Sequence, residues 1–408
     1  MKSKIVTCIT AVAVSAALAI PLIAQEKVEH NQEPPHYTVT NLRTFGGTSS
    51  QGNGIDNLGL VAGAANLPGD QTTHAAAWLH GFGFDLGTLG GPNSAVLFPV
   101  KSDNGEIAGV SETSAIDTLG ENWSCSFFFP TVTKHKCVGF LWKDGVMNAL
   151  PTLGGDNGFA AGINNHGQVV GWAENTTHDP TCTPPQVLQF EAVIWGPGPG
   201  QIRQLPPFPG DVDTAAVAIN DKGQVVGISG TCDQAVGRFS AKHAVLWEDG
   251  TVKDLGSLGG IAWNTPVSIN KHGDVVGFSD LPGDDNGTPN FHAFLKTKGH
   301  RMVDLGTLPG DSISEALGIN EQGQVVGLSI GPNGQRAFLW DNGVMRDLNS
   351  LLPHGTSISL AYAGDINDRG EITGGLIDPN NPQCGPATLG CAFRAVPKRD
   401  HDGDADPH

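Results

Sequence analysis

An all-β fold, a ring of seven four-stranded antiparallel blades, is predicted for this chain by three observations. Glycine is abundant and charge is scarce: of 408 residues 56 are Gly, only 16% are charged, and the glycine share is about twice the usual one. Three short phrases recur along the chain in a fixed order, and each recurs seven times. Every repeat also carries turn residues at constant places, which is what short strands joined by hairpins require.

The first phrase brings an apolar stretch to Ile-Asn, turns through x-x-Gly and resumes with apolar residues and glycine. It stands at 162–171, 218–227, 268–277 and 318–327, with looser copies at 54–63, 100–109 and 365–374. Its turn glycines, from Gly59 through Gly105, Gly167, Gly223, Gly273 and Gly323 to Gly370, lie about 52 residues apart. The second phrase is an apolar strand that usually ends in Trp, at 74–78, 138–142, 191–195, 243–247, 292–296, 336–340 and 391–394. The third, Asp-Leu-Gly-Thr-Leu-Gly-Gly and variants, begins at Leu42, Leu86, Leu150, Leu205, Leu255, Leu305 and Leu348.

Together the phrases give four strands per repeat, here named a (into Ile-Asn), b (Gln-Val-Val-Gly), c (Ala-Phe-Leu-Trp) and d (Asp-Leu-Gly-Thr-Leu). Asn-x-x-Gly joins a to b. Pairs such as Asp144-Gly145, Asp249-Gly250 and Asn342-Gly343 join c to d, their glycines supplying the positive φ of a tight hairpin. Four antiparallel strands in a unit of this length make a β-propeller blade; the rival, a β-helix, has much shorter coils. The chain opens with a spare d-type strand, 37–45, and closes on a c-type strand, 391–397. Pairing the two would close the ring and leave no free sheet edge. The propeller is therefore expected over 37–397.

The ends are read separately. Lys2 and Lys4 precede an apolar run too short to span a membrane, followed by Pro21 and Ala24, which is the layout of a secretory signal over 1–24. A linker over 25–36 and a disordered acidic, histidine-bearing tail over 398–408 complete the chain. Six cysteines follow the signal. Proximity favours Cys125 with Cys137 and Cys384 with Cys391, leaving Cys182 with Cys232, although six cysteines allow fifteen pairings. Disulfides and export agree with each other, and no CxxC suggests zinc. A net charge of -18 argues against nucleic acid or an anionic membrane as partner.

The c-strand phrase stands literally as His292-Ala293-Phe294, with His74-Ala75-Ala76, His243-Ala244-Val245 and Arg336-Ala337-Phe338 as variants. In this, and in the order of its three phrases over nearly the whole mature chain, the sequence resembles the HAF family of probable extracellular repeat proteins. The resemblance implies export and a repeat fold, and it carries no catalytic residues to transfer. Blade 2 departs most, with Lys101-Ser102 in place of Ile-Asn and Val138-Gly139-Phe140 in place of the HAF phrase.

In a four-stranded meander the a–b and c–d turns share one face, read as uniformly short, and all length variation falls on the opposite face. The longest connection there, between 111 and 137, carries Trp123, Phe127, Phe128 and Phe129 beside Cys125 and Cys137. Such rigid aromatics suit a sugar ring or a protein partner, and equally a small local core beneath the loop. Phe159, Trp263, Asn264, Glu315 and Tyr362 align near the channel mouth and complete the candidate ligand site. Asn164, Asn220, Asn270, Asn320 and Asn367 are read as turn-forming, and His74, His243 and His292 as scaffold.

No HExxH, GxSxG or P-loop is present. Asp211, Asp213, Asp311 and Glu315 are the acids placed to serve as a carboxylate pair in a glycan hydrolase or lyase. Asp284, Asp285 and Asn286 form part of a calcium-type loop that lacks the first Asp and closing Glu of an EF-hand. The expectation is a secreted, extracellular or periplasmic monomer without obligate cofactor, binding a glycan, envelope material or an extracellular protein. The alternatives are a glycan hydrolase or lyase, and a structural surface protein with no small ligand.

Overall fold

The computed structural model describes residues 35–99, 101–232, 240–283, 290–385 and 390–398. The signal, most of the linker, the acidic tail and the calcium candidates Asp284, Asp285 and Asn286 lie outside them.

Seven four-stranded antiparallel sheets follow one another along the chain, at 50–85, 90–149, 158–204, 213–254, 265–306, 313–347 and 359–397, each running a, b, c, d outward. The seventh sheet takes its d strand from the other end of the chain: Tyr37–Asn41 pairs with Cys391–Pro397, Tyr37 opposite Pro397 and Asn41 opposite Phe393. The ring is thus closed as the terminal strands predict, though the opening strand stops at Asn41.

Each b strand is buried on both faces, which is why Gln-Val-Val-Gly reads as a continuous apolar run rather than an alternating one. Its glycine has a steric reason. Strand a bulges opposite it, between Ala160 and Gly162 in blade 3, and a Cβ on Gly171 would overlap the Phe159 carbonyl oxygen. The same overlap recurs at Gly227, Gly277 and Gly327. The strand-c tryptophans Trp78, Trp195 and Trp247 are buried, and two of them donate Nε1 to the preceding blade, Trp195 to Pro151 O at 2.8 Å and Trp247 to Pro206 O at 2.7 Å.

Two kinds of side-chain hydroxyl contact lock neighbouring blades together, both of them at the joints from blade 1 to 2, 3 to 4 and 5 to 6, and one of them at the joints from 4 to 5 and 7 to 1. The alanine of the HAF phrase donates its backbone N–H to the first hydroxyl of the next a strand: Ala75 to Ser94, Ala192 to Thr214, Ala293 to Ser314 and Ala392 to Ser50, at 2.7–2.9 Å. A b-strand serine accepts from the third phrase of the preceding repeat: Leu89 to Ser111, Phe208 to Ser229, Leu258 to Ser279 and Leu308 to Ser329, at 2.9–3.0 Å. The repeat therefore encodes joints between blades as well as strands within them.

All three expected disulfides are formed: Cys125–Cys137, Cys182–Cys232 and Cys384–Cys391. Cys182–Cys232 ties the b–c connection of blade 3 to that of blade 4. The c–d turns are less uniform than the sequence suggested, since six residues separate Trp195 from Ile202 in blade 3 and Lys296 from Val303 in blade 5. On the opposite face strand b of blade 2 runs on to Ile116 and strand c begins at His135, so the loop proper spans 117–134.

Candidate functional site

At the short-turn end of the channel the a–b turns converge on a cavity of about 210 Å³. At the position after the turn asparagine, or its counterpart in blades 1 and 2, the backbone N–H of one blade donates to the side chain of the next in six of the seven turns. Asn57 N–H donates to Asp103 (2.8 Å), Asp103 to Asn165 (2.7 Å), Asn165 to Asp221 (2.9 Å), Lys271 to Glu321 (3.0 Å), Glu321 to Asp368 (2.9 Å) and Asp368 to Asn57 (2.9 Å). Only the step from Asp221 to Lys271 is missing, because an ammonium cannot accept. A second set lies beneath: Nδ2 of Asn164, Asn220, Asn270, Asn320 and Asn367 donates to the backbone carbonyl of the next blade's turn. The asparagines also accept within their own turns, as expected, for example Gln324 N–H to Asn320 Oδ1 at 2.9 Å. Their reach to the next blade was not legible, because it needs the ring.

Lys101, the blade 2 departure, crosses to blade 7. Its Nζ lies 2.5 Å from Asp365 Oδ1 and 3.0 Å from Ile366 O. Asp365 is fully buried and also accepts from Ile55 N–H at 3.1 Å. Burial raises its carboxyl, and Lys101 opposes that rise.

The opposite face carries the expected aromatics, divided between core and surface. Phe159 is buried, flanked by Trp172 at 5.9 Å, Phe98 at 5.8 Å and Phe128 at 5.8 Å. Trp123 is half-buried against Phe190, 5.9 Å away, and Phe129 is buried with Cys125 and Cys137. Trp263 packs on Phe291 (4.8 Å) and Phe278 (5.6 Å) and holds φ +53°, a left-handed conformation that is costly for a bulky residue. Asn264 is structural: it donates to Lys242 O at 2.8 Å and accepts from Ser279 at 2.6 Å. Tyr362 donates to Asn53 Oδ1 at 3.4 Å, and burial raises its hydroxyl pKa.

Phe127 and Phe128 behave differently. Phe127 is 85% exposed and Phe128 42%, their rings edge to face at 5.4 Å. With Phe129 and Pro130 they form one wall of a cleft of about 290 Å³, whose other wall comes from blade 1: Ser49, Gln51, Asn66 and Thr73. The loop is held in place from below. Glu121 accepts from the backbone N–H groups of Val187 (2.6 Å) and Leu188 (2.8 Å) in blade 3. Glu174 accepts from Asp156 and Asn157 N–H, both at 2.8 Å, and burial with Glu121 nearby pushes it up to about 8. Phe98 and this pair of glutamates were not among the expected residues; nothing in their spacing marks them.

The four candidate acids are in four settings. Asp211 accepts from Ser229 (2.7 Å) and His243 (2.8 Å), and Asp311 is paired with Arg336 at 2.8 Å. Asp213 is buried, accepting from Gln186 and from Phe190 N–H, and desolvation pushes it up to about 7. Glu315 sits on strand a of blade 6, and burial likewise pushes it up to about 7. No hydrogen bond joins any two of them. His74 and His292 pair with Asp85 and Asp304, both at 2.9 Å, which fits a scaffold role. Among the described residues no group of His, Cys, Asp and Glu is arranged to hold a metal ion.

No known family and no curated protein matches the sequence. Solved structures do match. The β-propeller domain of the Trilobed protease from Pyrococcus furiosus superposes with TM-score 0.50 at 10% identity, over 89% of this chain and 95% of that one. A gluconolactonase from Xanthomonas campestris has TM-score 0.36 at 10% identity, over 90% of this chain and 96% of that one. The PQQ-bound aldose sugar dehydrogenase from Streptomyces coelicolor has TM-score 0.34 at 13% identity, over 90% and 99%. At these identities the likeness concerns the fold alone. The Pyrococcus domain is described as an open velcro, whereas here Tyr37–Asn41 completes the last blade.

Proposed function

We propose that this chain is a secreted HAF-repeat propeller that acts as a binding scaffold, taking carbohydrate or envelope glycan in the cleft between blade 1 and the cystine-stapled loop of blade 2. The observation that supports this reading is the exposed Phe127–Phe128 pair facing the polar side chains of Ser49, Gln51, Asn66 and Thr73. Aromatic faces stack on the C–H faces of a sugar ring while amides and hydroxyls meet its hydroxyls. Export is in keeping with the three disulfides, and among the described residues no helix is long and apolar enough to cross a membrane.

The test is retention of the chain from residue 25 onward on insoluble glycans and cell envelopes, with released reducing ends assayed in the same tubes. Retention that falls at least tenfold in Phe127→Ser/Phe128→Ala, without release, supports the reading. Equal retention by the variant removes the cleft from it. Release above a boiled control makes the protein an enzyme and directs mutagenesis to Glu315.

A further inference from the structure

A cavity larger than the aromatic cleft lies on the other face. It is a groove of about 970 Å³ between blades 2 and 3, on the side of the short turns. Two departures from the repeat meet there. One is the six-residue c–d connection of blade 3, Gly196-Pro197-Gly198-Pro199-Gly200-Gln201, where most blades have two residues. The other is the a–b turn of blade 2. In blades 3, 4 and 6 the residue after the turn glycine is a glutamine that accepts from the turn asparagine, as Gln324 Oε1 does from Asn320 at 2.9 Å. Blade 2 has Ser102 instead of that asparagine and Glu106 instead of that glutamine.

Glu106 is 7% exposed, and its two oxygens are treated unequally. Oε1 meets Lys143 Nζ at 2.6 Å. Oε2 is buried without a hydrogen-bond partner, on the groove lining and close to Gly167 and Pro197. A buried acceptor left unmet is costly, and a donor delivered by a ligand recovers that loss. The other walls are apolar, from Leu141, Leu150, Pro151, Val169 and Trp195, and the remaining polar lining is mostly amide, Asn104, Asn148, Asn165 and Gln201.

We propose that this groove is a second ligand site, independent of the glycan cleft, for a small neutral molecule with an apolar body and one hydroxyl placed against Glu106 Oε2. Neutrality follows from Lys143, which already balances the carboxylate and would repel a cation. An apolar body follows from the walls, and a hydroxyl from the acceptor that waits at their end. A volume of this order holds a drug-sized molecule. Trp195 is itself buried, so the groove lacks the exposed ring face that sugar stacking needs.

The probes are p-cresol and toluene, which differ by one hydroxyl, titrated calorimetrically into the whole secreted chain. The expected result is tenfold or greater preference for p-cresol. In Glu106→Gln the amide oxygen stays with Lys143 and the NH₂ takes the place of Oε2, so p-cresol affinity falls at least tenfold while toluene is unaffected. Ala149→Trp, at an exposed position on the groove rim, is expected to abolish both. Should Glu106→Gln fail to fold, the cresol preference and Ala149→Trp still decide. Absence of cresol binding, equal affinity for the two probes, or indifference to both variants overturns the assignment.

Discussion

In blades 3 to 7 the turn asparagine donates Nδ2 to the backbone of the next blade, whereas in blade 2 Ser102 only accepts from Asn104 N–H within its own turn, at 3.4 Å. The joint that blade 2 gives up is replaced by a charge: Lys101 stands where other blades carry Ile, and it is matched by Asp365 at a position where the aligned residues are Gly54, Val100, Gly162, Ala218, Ser268 and Gly318. The two departures occur together because each needs the other. The repeated asparagines are thus inter-blade fasteners, and in blade 2, where that donor is missing, Lys101 reaches to blade 7 instead.

Breaking that substitute should have the largest effect. Lys101→Met leaves Asp365 buried with an uncompensated charge, and loss of about 3–5 kcal/mol of stability is expected from denaturant midpoints. Restoring the repeat at both places, Lys101→Ile with Asp365→Gly, should recover most of it. A single variant as stable as the parent would mean that the pair contributes nothing to holding blade 2.

A second contrast lies one layer up the channel, where blade 6 carries Glu315 at the level of Gln51, Leu97, Phe159, Ala215, Thr265 and Tyr362. Burial raises Glu315 from 4.5 to about 7, so the folded state holds a proton that the unfolded state releases between those values. Its effect is absent below pH 4.5, where both states are protonated. It grows as a destabilisation through the window to pH 7 and is level above. At about 1.4 kcal/mol per unit the full effect is up to about 3 kcal/mol. Melting temperatures at pH 5 and pH 8 should converge in Glu315→Gln relative to the parent. An unchanged difference would show that other acids, such as Asp213 and Glu174, carry the pH dependence.

In the regular arc, Asn320→Ala removes two donations, to Gln324 Oε1 and Asn367 O, and two acceptances, from Gln322 and Gln324 N–H. A cost of about 2 kcal/mol is expected in chemical denaturation. The same change at Ser102 should cost well under half of that. Equal costs at both sites would contradict the division between blade 2 and the rest.

The fold was legible because its information is local and repeated: a turn glycine, a Trp-ended strand and an Asp-Leu-Gly phrase each recur seven times, and one spare strand at each end signals closure. The disulfides were legible because proximity and remainder left one economical pairing. Sites were only partly legible. Phe127 and Phe128 were singled out, but whether a phenylalanine in that loop faces solvent, like Phe127, or the cystine, like Phe129, depends on how Glu121 ties the loop to blade 3. Lys101 could be seen as a departure, yet its partner is 264 residues away. Glu106 looks unremarkable in sequence; its unmet oxygen follows from the loss of an asparagine four residues earlier in the same turn.

The smallest and sharpest prediction concerns the one gap in the ring of turn contacts. Six of seven turns receive an acceptor from the next blade, and Asp221 N–H does not, because Lys271 presents an ammonium. Lys271 gives little in return, since its Nζ is exposed and 3.9 Å from Glu321. Lys271→Asn places an amide oxygen where Asn165 and Asn57 already accept from their neighbours, and avoids the added negative charge that Asp would set beside Asp221. The expected gain is about 1 kcal/mol, seen as a rise in denaturation midpoint with slower exchange of the Asp221 amide proton. Faster exchange, or a lower midpoint, would mean that the blade 4 to blade 5 step is held open by its backbone rather than by the chemistry of residue 271.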